Sequence, residues 1–224
     1  MMRKYQAIIC FGMCAVILNG CVFKRLLEFQ KQMETPATYI SFEKEGILEF
    51  KKPVLELDDL VLLTGIEPTT VTNQSNQTTI ATYDFIRDDH PKYSLTYQCI
   101  FKNSKLVMID YPDQFYSQVS SSFAFQTLET FGKSKLDSTK SWKLRASRMI
   151  KKLFIPTKKL IKKLVGPPTT KTSYPLTDYY TYSYRHPIQN GSQKISISYE
   201  FSKKNQQISM IFIQFPDRNW ELKL

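Results

Sequence analysis

Few residues in this chain have side chains suited to covalent, metal or proton-transfer chemistry. There are four cysteines, Cys10, Cys14, Cys21 and Cys99, and two histidines, His90 and His186. A thiol can serve as nucleophile, metal ligand, disulfide partner or point of thioether attachment, and an imidazole as ligand or base. Asp88-Asp89-His90 sets three metal-ligating types side by side, but adjacent residues rarely converge on one ion. Pro91 follows, so the stretch reads better as a polar turn. His186 also precedes a proline, Pro187, and both histidines read as inter-strand loop residues. Asp58-Asp59 is either an acid/base pair or a helix start, and the apolar run that follows favours the second reading. Tyr180, Tyr182 and Tyr184 line one strand face, as sheet packing rather than a sugar-stacking platform. No Gly-x-Gly cradle for phosphate and no Gly-x-Ser-x-Gly elbow occurs. The expectation is no catalytic residue, no metal and no cofactor.

The N-terminus carries the sharpest signal. Arg3 and Lys4 precede Ala7 to Leu18, a run of 12 residues without a charge. Spanning a bilayer takes about 20 apolar residues, so this run has the length of a signal-peptide core. Leu18-Asn19-Gly20-Cys21 follows. This arrangement resembles the lipobox of bacterial lipoproteins. The resemblance implies diacylation of the Cys21 sulfur, cleavage before it and acylation of the new amine. An uncleaved anchor and a plain secretory signal are the rival readings. Val22, not an acidic residue, follows the cysteine. In that family this points to the outer membrane, periplasmic face, rather than the inner. Cys10 and Cys14 then leave with the signal, and Cys99 stands alone, so no internal disulfide is expected. Cys99 shares an alternating strand face with Leu95, Tyr97 and Phe101 and reads as a small core residue.

The chain also repeats itself. Leu60-Val61, Gly65 and Pro68-Thr69-Thr70 are echoed by Leu160-Ile161, Gly166 and Pro168-Thr169-Thr170, an offset of 168 − 68 = 100. Thr82-Tyr83-Asp84-Phe85 matches Thr181-Tyr182-Ser183-Tyr184, and His90-Pro91 matches His186-Pro187. Leu106 to Asp113 matches Met210 to Asp217. In each unit a helix is expected to start near Asp58 or Asp59, or at Thr157, and to end at Gly65 or Gly166. Strands are expected over 79–86, 92–101 and 104–111, then over 179–184, 193–201 and 207–215, with turns at Asn103-Ser104 and Lys204-Asn205. The fold class expected is α+β: two tandem units, each a helix packed on a three-stranded antiparallel meander, joined by a helical segment.

The stretch Thr157 to Thr169, with Leu164-Val165-Gly166-Pro167-Pro168-Thr169, resembles the helix-to-strand junction of the BamE (SmpA/OmlA) lipoproteins. It is also similar to the β-lactamase inhibitor protein, itself a tandem duplication. The resemblance implies protein–protein contacts in the envelope and no catalysis. The organisation expected is a signal peptide over 1–20, a lipid-proximal linker over 21–38 and a first unit over 39–113. Connecting helices over 114–150 and a second unit over 151–224 complete it. Phe23 to Met33 can form a short helix leading from the lipid, and 40–42 with 47–50 an extra hairpin. Tyr116, Val119, Phe123, Leu128 and Phe131 fall at helical spacing before Gly132, and Ser138 or Ser141 can start a further helix.

The net charge of +11 is local. Between Ser138 and Thr177 there are 11 basic residues and no acidic one; removing them from the 31 leaves 20, equal to the 20 acidic residues. Lys143, Arg145, Arg148, Lys151, Lys152, Lys158, Lys159, Lys162 and Lys163 interleave there with apolar residues, a basic amphipathic pattern. It reads as a solvated helix face, as an attachment to anionic lipid or lipopolysaccharide, or as a surface for an acidic partner. Nucleic acid is not expected. Taken together, the sequence predicts a lipid-anchored envelope protein that acts by binding, as a scaffold or assembly factor with an envelope protein partner. An inhibitor or accessory of a periplasmic enzyme, and a lipid-binding role through the basic helix, are the alternatives.

Overall fold

The computed structural model describes residues 22–42, 46–112, 121–133, 135–137, 143–147 and 155–223. A helix, α1, runs over 22–33 and is followed by the short α2, Pro36–Tyr39. The expected hairpin forms as β1, Ile40–Phe42, and β2, Ile47–Phe50. Helix α3, Leu57–Thr64, begins at Glu56, whose side chain and that of Asp59 each accept from the other's backbone N–H. It ends at Gly65, which is left-handed at φ 69°. Then come β3, Thr70–Gln74; β4, Thr78–Phe85; β5, Leu95–Lys102; and β6, Lys105–Asp110. A 3₁₀ turn, Pro91–Tyr93, lies between β4 and β5.

Helix α4, Ser121–Gly132, follows where helical spacing predicts it. Strands β7, Lys135–Asp137, and β8, Lys143–Ser147, come next. The second unit holds α5, Lys158–Val165; β9, Thr170–Ser173; β10, Thr177–Ile188; β11, Gly191–Ser202; β12, Ile208–Gln214; and β13, Asn219–Lys223. Thr157 caps α5 by accepting from the Leu160 N–H.

The expected pairing of one helix with a three-stranded meander is therefore corrected. The protein is mostly β, built on two larger sheets. The first has six strands in the order β1-β2-β6-β5-β4-β3, and the second seven in the order β7-β8-β13-β12-β11-β10-β9. The expected meanders, β4-β5-β6 and β10-β11-β12, are only their centres. After each proline the chain does not pass directly into the meander; it first lays down an edge strand, β3 or β9. These pair with the meander but bury neither face, so they carry no apolar alternation to betray them. The joining segment is not wholly helical either. Its second half forms β7 and β8, and β8 runs parallel to the C-terminal β13.

Two contiguous cores result. The first gathers Leu26 and Met33 of α1, Phe50, Leu63, Tyr83, Cys99, Phe101 and Leu106. The second gathers Ile161, Leu164, Val165, Tyr180, Tyr182, Tyr184, Phe201 and Ile208. Phe85 packs against both. The helix after Cys21 is thus part of the first core. Arg25 also pins it, donating from Nε and Nη2 to the buried Asp59 carboxylate at 2.7 and 2.9 Å.

Candidate functional site

The two sheets meet where β4 and β10 end. Ile86 and Arg185 form a single antiparallel bridge, with N–H to O distances of 2.8 and 2.9 Å. The bridge lies at the centre of a pseudo-symmetric seam. On one side the Asp84 N–H donates to the Thr69 hydroxyl at 3.0 Å; on the other the Ser183 N–H donates to Thr169 at 3.1 Å. Counting on from these equivalent pairs, Arg87 is the counterpart of His186.

Both are fully buried, and each reaches across the seam. Arg87 donates from Nη1 to the Val165 carbonyl at 2.9 Å and from Nη2 to the Pro167 carbonyl at 2.8 Å, at the end of α5. Its Nε and Nη2 also hold the Asp89 carboxylate at 2.7 Å each. The guanidinium lies 5.3 Å from the Tyr182 ring centroid and 5.7 Å from that of Tyr184. His186 lies 2.6 Å from the Glu67 carbonyl through Nε2 and 2.8 Å from the Asp84 carbonyl through Nδ1. Carbonyl oxygens only accept, so the ring N–H donates to one or the other of them according to the tautomer. The ring stacks on Phe85 at 5.1 Å. Glu67 and Pro167 are themselves equivalent, each preceding the Pro-Thr-Thr of its unit. Each unit thus ties down the helix-to-strand junction of the other.

The electrostatics follow this pairing. Hydrogen bonds from Arg87 hold the Asp89 carboxyl well below the usual carboxylate range. Burial disfavours the charged guanidinium, but the Asp89 contacts outweigh it and Arg87 is shifted up. Asp88 is lowered by its hydrogen bonds to Arg185, at 2.7 Å. A cleft of about 360 Å³ opens beside the seam, lined by Asp88, Asp89, Thr169, Ser183, Tyr184, Arg185, Ser192, Gln193 and Lys194. Both its carboxylates are engaged by guanidinium groups. What it offers a visitor is hydroxyls and the exposed Lys194 ammonium, a surface for polar contacts.

The sequence-predicted residues fall as follows. Cys21, Arg148, Lys151 and Lys152 lie outside the described residues. Lys143 and Arg145 lie on β8, a strand and not a helix. Lys158, Lys159, Lys162 and Lys163 lie on α5, whose Ile161, Leu164 and Val165 are buried. Lys158 bonds Asp178 at 2.6 Å, and Lys162 lies 5.3 Å from the Tyr180 ring, so the basic run is not one uniform face. Asp88 and Asp89 serve as ion-pair partners, and no group of three or more metal-ligating side chains clusters among the described residues. Tyr180, Tyr182 and Tyr184 are buried in the second core. His90 caps the 3₁₀ turn, as a turn residue should, but His186 belongs to β10 and not to a loop. Sequence reasoning did not single out Arg87; its only signal was its offset of 99 from His186 (186 − 87) within the duplication.

The sheet edges form the other candidate surface. β3 and β9 are exposed at every residue. β9 carries Lys171, a charge that discourages strand-on-strand pairing, whereas β3, Thr-Val-Thr-Asn-Gln, carries none and exposes Val71. No family model, curated protein or solved structure matches this chain.

Proposed function

We propose that the protein is a lipid-anchored component of the cell envelope that acts by binding a protein partner, as a scaffold or assembly factor at the outer membrane. The lipobox-like Leu18-Asn19-Gly20-Cys21 supplies the anchor. The observation that carries the binding role is the uncharged, fully exposed edge strand β3. An edge strand offers unpaired backbone groups to an extended segment of another chain, and alternate side chains give selectivity. On the equivalent edge of the second sheet, β9 carries Lys171, whereas β3 carries no charge. The seam beside it supports this reading, because its charged groups are engaged in holding the units together.

The experiment is crosslinking and capture of the native lipidated protein from membranes, beside Cys21→Ser and Val71→Lys variants. A specific envelope protein captured by the native chain, and lost with Val71→Lys while the fold is intact, is the expected result. Capture unchanged by Val71→Lys overturns the β3 assignment. Capture of lipid or glycan alone overturns the protein-binding role.

A further inference from the structure

Helix α1 is described from residue 22, the position that follows Cys21 in the sequence. Its inward face is fixed: Leu26 and Met33 are buried in the first core, and Arg25 clamps Asp59. The helix cannot roll about its axis without breaking these contacts. Its outward face presents Phe23, 57% exposed, and Leu27, 46% exposed, one turn apart. Lys24 and Lys31 are exposed on the same side, at the i, i+3, i+7 spacing with Leu27 that shares one helix face. Glu28, on the same stretch of helix, has its carboxylate paired with Lys52 at 3.1 Å, which offsets its charge, and Glu34 stands just past the helix end.

We propose that this outward face lies directly on an anionic phospholipid bilayer, with Phe23 and Leu27 in the headgroup boundary and Lys24 and Lys31 against lipid phosphates. The inference rests on the acylation of Cys21. Two residues of chain reach at most about 7 Å, so acyl chains on Cys21 hold Phe23 at the depth of the headgroups. Exposed aromatic and aliphatic residues flanked by lysines are the composition that favours such a boundary. The anchor and the face then act together: the lipid supplies attachment, and the clamped helix supplies a fixed orientation. The first unit is seated on the membrane rather than hanging from a flexible leash.

The test uses the full chain purified from membranes and reconstituted in vesicles containing an anionic phospholipid. A nitroxide is attached at Leu27→Cys or, as a control on the far edge of the first sheet, at Val71→Cys. Cys99 is buried, and a thioether-bearing Cys21 leaves no free thiol. Collision with oxygen is compared with collision with a polar nickel chelate, beside mass spectrometry of the N-terminal peptide. The expected result is several-fold protection from the chelate at position 27, with oxygen favoured, and no protection at position 71. Lipid on Cys21 with equal chelate access at both positions overturns the inference and leaves the anchor standing. A Cys21 without lipid overturns both.

Discussion

Arg87 and His186 occupy equivalent positions, each one residue past a shared antiparallel bridge, and each hydrogen-bonds the carbonyl that precedes the other unit's Pro-Thr-Thr. The two side chains differ in chemistry. Arg87 spans two carbonyls and a carboxylate across the seam. His186 joins one carbonyl of its partner's junction to one of its partner's strand.

Arg87→Met leaves two carbonyls and the Asp89 carboxylate without their donor. Each buried carbonyl left without a donor costs about 1–3 kcal/mol, while the exposed Asp89 carboxylate is rehydrated. Arg87→Lys recovers little of this, because one ammonium cannot reproduce the planar fork that meets three groups. Urea unfolding of both variants measures the loss. A variant within about 1 kcal/mol of wild type would show that the clamp is dispensable.

His186→Phe keeps the stacking on Phe85 and deletes the imidazole N–H that bonds these buried carbonyls. Each orphaned buried carbonyl costs about 1–3 kcal/mol. The midpoint of urea unfolding is expected to fall accordingly. Unchanged stability would mean that water takes the place of the imidazole.

Gly166 and Gly65 differ in what they tolerate. Gly166 has φ 80° and ψ −165°, a region reserved for glycine, and an added Cβ would meet the Tyr93 ring at 2.3 Å. Gly65 sits in ordinary left-handed conformation, and its added Cβ would meet the end of the Asp217 side chain, most of which is exposed and can move. Gly166→Ala is expected to cost more than about 2 kcal/mol, and Gly65→Ala about 1. Equal losses on thermal unfolding would contradict this difference.

Asp178 is lowered to about 2, chiefly by the hydrogen bond from Lys158 and then by that from Ser173. A depressed carboxyl contributes stability above its unfolded value of 3.8 and loses it as pH falls toward about 2. Asp178→Asn is therefore expected to be less stable than wild type at neutral pH, with the gap closing across that acid window. A gap that is constant from pH 7 to 2 would show that the pairing contributes nothing.

Burial pushes the Cys99 thiol up to about 12. In the native protein it is expected to resist a thiol-specific reagent at pH 8, and its labelling rate is expected to follow unfolding. Rapid labelling of the folded chain would place Cys99 outside the core.

Much of the fold was legible because burial leaves a period. The β1–β2 hairpin, α3, α5 and both meanders carry alternating or helical apolar patterns bounded by Pro, Gly and Asn. What escaped were elements that bury nothing or pair at a distance. β3, apart from Val71, and β9 are polar, and β8 pairs with the three-residue β7 and with β13, more than 70 residues later. The seam was half legible. The duplication brought His186 into view, but matching its His-Pro to His90-Pro91 hid the true counterpart. The backbone equivalence of Asp84 and Ser183 aligns His186 with Arg87, a pairing of unlike residues that identity matching passes over.

The seam also decides what can be divided. Gly166 packs on Tyr93, Gly65 on Asp217, and Phe85 belongs to both cores. A chain cut between Pro112 and Ser121 would yield two fragments, each lacking the donor that closes its own junction. Such fragments are expected to recover native structure only when mixed, as complementing halves of one cooperative unit. Each unit's helix-to-strand junction is closed by a side chain of the other, so the two units share one set of contacts rather than standing side by side.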